Sequence, residues 1–287
     1  MKELLLKIFI VAMVYHAFEN RVCAQPYIDL INIRNVKSPD VGFFRHNKNE
    51  TELSYVNISS TLPLLFNNKK DGIIISPFYE QWSSAISGID SFRKTHFGIA
   101  LPLSLLETIN SKWSLLVTSI VRINDTSLSR GSKWQFGGAI LAAHKNANGK
   151  FTYKFGAYIN GDLFGLFVMP LLGIDWNISP ATNLFGILPG NLTLEHRLTK
   201  ILFCGATFRA ITNSYTDFNN HYWRIDENQL GLFADCYLTK NIVLNMEAGH
   251  SFFRKIRTGM RKGTRTDWMA NDNMYLKLAL AYRLRLK

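Results

Sequence analysis

Apolar and polar residues alternate with a period of two along Lys200–Ile211, where Leu202, Cys204, Ala206, Phe208 and Ala210 share one parity and Phe203, Gly205, Thr207 and Arg209 the other. Gln229–Thr239 repeats the arrangement, with Leu230, Leu232, Ala234, Cys236 and Leu238 opposed to Gly231, Asp235 and Tyr237. Successive side chains of a strand point to opposite faces, so each segment predicts a strand with one apolar and one polar face. Their length suits a membrane-spanning strand, for which about 9 to 11 tilted residues cross the hydrocarbon and lipid-facing side chains alternate with lumen-facing ones.

Similar segments recur at Tyr27–Val36, Glu52–Leu65, Ile73–Trp82, Lys94–Leu105, Lys112–Ile123, Trp134–His144, Lys150–Ile159, Leu166–Asn177 and Met274–Arg285, with a short pair at Asn183–Leu188 and Leu192–Leu198. Tight turns at Thr199-Lys200 and Thr239-Lys240-Asn241 contrast with polar stretches at Thr212–Asn228 and Arg254–Asn273, which read as long loops. The expected fold is all-β: an antiparallel transmembrane β-barrel of 12–14 strands with short periplasmic turns and longer extracellular loops. The lower count applies if the short pair around Pro189-Gly190 does not span. A soluble β-sandwich is the competing reading. Trp82, Trp113, Trp134 and Trp176 fall near predicted strand ends, where an interfacial girdle would place them.

Residues 1–24 read as a secretory signal, with Lys2 and Lys7 before the apolar run Ile8–Val14 and a small-residue cleavage site at Val22-Cys23-Ala24; residues 25–287 form the barrel domain. A lipid anchor on Cys23 is the alternative, although Asn20-Arg21-Val22 lacks the leucine and small residues expected before such a site. The formal charge is +12, and loss of the signal, with Lys2, Lys7 and Arg21 against Glu3 and Glu19, leaves the mature chain at +11. For an exported chain this surplus favours anionic lipid, phosphate or glycan over nucleic acid. After the signal the longest apolar run, Leu163–Ile174, is broken by Pro170, which disfavours a transmembrane helix. Cys204 and Cys236 fall on the apolar parity as inert thiols, with a disulfide only if their strands place them side by side. They form no metal pattern, and no cofactor is expected.

Residues 173–215 carry Gly173-Ile174-Asp175-Trp176, Leu188-Pro189-Gly190, Leu194-Glu195-His196-Arg197-Leu198, Phe208-Arg209-Ala210 and Asn213-Ser214-Tyr215. This stretch resembles an uncharacterised outer-membrane barrel family of Bacteroidota, domain of unknown function 6268. The resemblance implies a signal peptide, a barrel and the outer membrane of a Gram-negative bacterium, without a known activity or substrate.

Inward parity collects Lys154, Glu195, Arg197, Arg209, Asp235, Glu247, Lys277 and Arg283. Mixed signs predict charge pairs that either fill the lumen or line a small pore. The expected function is non-enzymatic: a small-solute or amphiphile passage, with a structural barrel of plugged lumen as the alternative. A lipid hydrolase is disfavoured because His250 and Ser251 are adjacent on one strand and point apart. The basic stretch Arg254, Lys255, Arg257, Arg261, Lys262 and Arg265 is expected in an outer loop that contacts anionic glycolipid. Expected partners are outer-membrane lipid, that glycolipid and the barrel-insertion machinery, with no nucleic acid.

Overall fold

The computed structural model describes residues 26–39, 51–66, 70–86, 92–125, 134–217, 221–260, 263–269 and 272–286. Residues 1–25, which include the stretch read as a signal and Cys23, lie outside them, as do Arg261 and Lys262. The first half of the chain gives β1 (Tyr27–Ser38), β2 (Thr51–Ser60), β3 (Leu62–Leu65), β4 (Gly72–Ile75), β5 (Phe78–Ile86), β6 (Phe92–Thr108), β7 (Trp113–Asp125), β8 (Trp134–Lys145) and β9 (Phe151–Asp162). The second half gives β10 (Gly165–Ser179), β11 (Thr182–Leu188), β12 (Asn191–Arg197), β13 (Leu202–Thr216), β14 (His221–Tyr237), β15 (Ile242–Met260), β16 (Arg265–Met269) and β17 (Met274–Arg285).

Neighbouring strands along the wall pair antiparallel, and β1 closes on β17 through matches such as Val36 with Lys277. Because β2 and β3, β4 and β5, and β16 and β17 each share one stave, the closed barrel has fourteen. The short pair β11–β12 counts among them, bonded to β10 on one side and β13 on the other. Among the described residues no helix is long and apolar enough to cross a membrane.

The polarity is inside out. Leu232 is 72% exposed, Leu166 71% and Phe136 64%, while Glu195, Asp235, Glu247 and Arg283 are buried. Water would penalise so continuous an apolar exterior, whereas hydrocarbon accommodates it. This rules out the sandwich, whose apolar faces would meet each other. Trp134 and Trp176 are exposed near strand ends, but Trp82 is buried inside against Tyr55, with ring centroids 4.3 Å apart, and so belongs to no girdle.

Cys204 lies opposite Ala234 and Cys236 opposite Leu202, on the face that carries Leu232. The thiols are two positions out of register and free. An apolar maleimide should therefore label both cysteines in reduced membranes, and an impermeant water-soluble one neither. Labelling by the latter would place this face in water.

The stretches 212–228 and 254–273, expected as loops, are mostly paired strand. β13 and β14 remain in register out to Thr216 and Tyr222, and β14 and β15 out to His221 and Met260. The parity of β15 also changes within this extension. Asp226 pairs with Lys255 but Asn228 with Phe252, so β15 carries one extra residue, and Phe253 adopts a φ of 54° with its ring outward. Such a bulge moves every later side chain to the opposite face. Ser251 points inward before it, and Arg254 and Ile256 point inward after it.

Candidate functional site

The outer end of the β13–β14 hairpin leans across the mouth of the barrel. Thr216 forms a parallel bridge with Asp125 of β7, far around the wall from β13's own neighbours. Beneath this bridge Asn124 donates to the Ser214 carbonyl (2.9 Å), and the Ser214 hydroxyl donates to Asp162 (2.9 Å). Lys94 pairs with Asp217. The inner face of the hairpin extension is apolar: Tyr215, Trp223 and Ile225 join Ile256 of β15 and pack against Val36, Leu53, Tyr55, Trp82 and Tyr275 of the facing wall. His96 is fully buried and stacks on Trp223 at 4.4 Å.

Glu80 anchors the tip. Its carboxylate accepts hydrogen bonds from Tyr215 (2.6 Å), Tyr55 (3.1 Å) and Asn213 (3.2 Å), and Arg122 lies 3.5 Å away. Two of these donors belong to the hairpin and one to the wall, so a single buried acid ties the crossing segment down. Arg122 in turn donates to the Asn213 side-chain oxygen at 3.1 Å.

Further pairs are stacked down the interior. Glu247 holds both Arg209, with one contact at 3.2 Å, and Lys277, and it accepts from the Tyr275 hydroxyl at 2.6 Å. Asp235 pairs with Arg283 at 2.5 Å, and Arg283 also reaches Asp29 at 2.5 Å. Glu195 pairs with Arg285 at 2.5 Å, whose guanidinium lies 3.7 Å from the Phe203 ring centroid. Lys154 pairs with Asp175 at 2.6 Å. Of the expected inward charges, Arg197 departs: it is exposed at the short-turn end and donates to the Pro180 carbonyl at 3.3 Å.

Several interior charges escaped the sequence reading. Arg285 shares parity with Arg283 and was legible by the same rule. Asp29 was hidden by the register shift between Asp29 and Ile31, and Glu80 by the break between β4 and β5. Glu227 and Arg254 sit in the stretches read as loops.

The basic stretch is therefore not one surface. Arg254 is buried, paired with Glu227 at 2.7 Å and donating to Ser38 at 2.8 Å, which removes it from any lipid contact. Arg257 contacts Asp226 (3.3 Å) and Asp267 (3.7 Å), while Arg265, paired with Asp267 at 2.8 Å, remains exposed. Lys255 lies on the outer parity beside Arg257's row, opposite Asp226.

Within the barrel, beside the crossing hairpin, a chamber of about 420 Å³ remains. Its charged lining is Arg34, Glu80, Arg209 and Lys277, joined by amides such as Asn57 and Gln229. The inner row of β10, Phe167, Met169 and Leu171, is absent from this lining. His250 and Ser251 stand on opposite faces, and the Ser251 hydroxyl donates to Glu227 at 2.5 Å. Among the described residues no cluster of three or more His, Cys, Asp or Glu could hold a metal ion.

A family model described as Domain of unknown function (DUF6268) matches residues 46–287. No curated protein matches the chain. Solved barrels share the fold at low identity. The translocator domain of the autotransporter NalP from Neisseria meningitidis is 11% identical over 98% of this chain and 95% of that one, with a TM-score of 0.38. Pseudomonas aeruginosa OccK7 is 12% identical over 90% and 98%, with a TM-score of 0.35. A NanC porin is 7% identical over 88% and 100%, with a TM-score of 0.38. These likenesses concern the fold alone.

Proposed function

We propose that this chain, which belongs to the DUF6268 family, is a non-enzymatic barrel of a Gram-negative outer membrane that passes small polar solutes through a lumen closed at its long-loop end by its own β13–β14 hairpin. The observation that carries the reading is the crossing segment Asn213–Thr216 with a polar chamber beside it. Barrels of about eight strands are filled by side chains, and those of 16 or more leave an aqueous channel. A fourteen-stave barrel is too wide for side chains alone to fill, and here a strand end does the closing. That segment lies beyond the end of β12 and keeps only β14 as a wall neighbour, with hydrogen bonds and packing holding it across the mouth, so it can swing away while the barrel stays closed on itself. The charges in the lining, Arg34, Glu80, Arg209 and Lys277, favour a hydrophilic solute over an amphiphile. The apolar exterior supports the outer-membrane address.

The test is conductance in a planar bilayer. Wild-type protein should open rarely. Asn213→Ala combined with Tyr215→Ala removes the hairpin's hydrogen bonds to Glu80 but keeps the wall's own partners, Tyr55 and Arg122. Hydrogen bonds to a charged group contribute roughly 1.5–3 kcal/mol each, so the open fraction should rise at least about tenfold. A variant that still forms a heat-resistant barrel yet remains as silent as wild type would favour the structural barrel with a plugged lumen.

A further inference from the structure

The charges around the chamber do not balance. Arg209 and Lys277 share one carboxylate, Glu247, and Arg122 lies beside Glu80. Arg34 forms no ion pair: its guanidinium donates to the Tyr55 hydroxyl at 3.2 Å, and its Nε has no hydrogen-bond partner. Among the described residues no carboxylate forms an ion pair with it. Arg34, Arg209 and Lys277 line the chamber from β1, β13 and β17, against Glu80 in the lining and Glu247 beside it, which leaves a surplus of one positive charge. A surplus of positive charge inside a protein is costly unless something of opposite sign completes it. Among the described residues no carboxylate other than Glu80 lines the chamber.

We propose that the chamber is a binding site for a small soluble oxyanion of the phosphate-monoester class, held by Arg34, Arg209 and Lys277. An anion has the sign that the surplus calls for. Arginine presents a planar fork of donors that suits phosphate oxygens, and lysine supplies a compact point charge from another stave. The Asn57 nitrogen donates to the Tyr79 carbonyl and the Gln229 oxygen accepts from Arg209, which leaves the Asn57 oxygen and the Gln229 nitrogen to meet hydroxyls of the esterified group. A volume of about 420 Å³ lies in the range of small-molecule sites, roughly 300–1,000 Å³. The sheet separates the site from surrounding lipid, which favours a soluble ligand over a lipid headgroup.

This inference deepens the passage reading and rests on it for the ligand's access, but equilibrium binding and conductance can fail separately. The probes are inorganic phosphate, glycerol 3-phosphate and neutral glycerol, titrated calorimetrically against the full barrel in a neutral maltoside detergent. Wild-type protein should bind both phosphates and not glycerol. Arg34→Gln should weaken binding at least about tenfold; since it orphans no carboxylate, the variant should still fold. Gln229→Glu places a carboxylate beside Arg209 and should weaken phosphate binding without lowering the unfolding temperature. Lys112→Gln, in an exposed turn, should change nothing. Equal affinity of wild type and both chamber variants, no binding by wild type, or a response confined to phosphatidic acid in mixed micelles would each overturn the assignment. If phosphate binds but the hairpin variant stays silent, the site stands and the passage reading falls; the converse leaves a passage without this site.

Discussion

Replacing Glu247 with leucine should lower the barrel's unfolding temperature sharply, with a stability loss of about 3–5 kcal/mol. This carboxylate is nearly inaccessible and serves Arg209, Lys277 and the Tyr275 hydroxyl together. Its removal leaves two buried cations facing each other beside Arg34, which already lacks an acid. Truncating one cation is different. Lys277→Met leaves Arg209 paired with Glu247 and reduces the local positive charge, so it should cost less than half as much. The layer leaves little room for adjustment: a Cβ at Gly231 would lie 2.3 Å from the Tyr275 hydroxyl and 3.0 Å from a Glu247 oxygen. The check is the temperature at which the compact electrophoretic form of the unboiled protein disappears. Glu247→Leu at or above the midpoint of Lys277→Met would mean that this layer is solvated rather than a buried pair.

Alternation made the wall legible wherever one face meets hydrocarbon and the other does not. Around Cys204, Leu232 and Cys236 the bilayer imposes apolar residues on every second position, and the lumen imposes polar or small ones on the rest. That contrast is what a period-two pattern reports, and it identified the staves, the short turns and the inward charges Lys154, Glu195, Arg209, Asp235, Glu247, Lys277 and Arg283. It fades where strands rise beyond the apolar band. There the pattern inverts: the outer face of β14 and β15 carries Arg224, Asp226, Lys255 and Arg257, while the inner face holds Trp223, Ile225 and Ile256 together with Glu227 and Arg254, so the apolar parity no longer marks the lipid side and a paired strand reads as a loop. The closing hairpin lies in that zone, and it is what distinguishes this barrel from an open one. Composition misled at Trp82: an aromatic near a strand end suits an interfacial girdle and a packed lumen equally, and only its neighbours, Tyr55 and the folded-in hairpin, decide between them. The bulge at Phe253 leaves no local mark, since a positive φ at phenylalanine is uncommon and follows from the pairing of β14 with β15.

Arg254→Met should destabilise the barrel by about 3–5 kcal/mol, and by the same amount in glycolipid-containing membranes and in neutral detergent. Had the basic stretch been a mobile outer loop, neutralising this residue would have mattered only where anionic lipid is present. The bulge instead turns the guanidinium inward, where it joins Glu227, Ser251 and Ser38 and couples β15 to β14 and β1. A surface cation on a screened rim contributes about 0–1 kcal/mol, so Lys255→Gln with Arg265→Gln should leave the unfolding temperature within a degree or two. A glycolipid contact through the described part of this stretch would run through those two outward cations, so their neutralisation should lower the amount that co-purifies while Arg254→Met leaves it unchanged. Adding Glu227→Leu to Arg254→Met supplies the internal control. Once both partners are apolar no charge is left buried and unpaired, and the double variant should recover much of the stability lost by the single one. If Arg254→Met is harmless in detergent, or if its effect and that of Glu227→Leu simply add, the two residues are not the coupled interior pair that closes this side of the mouth.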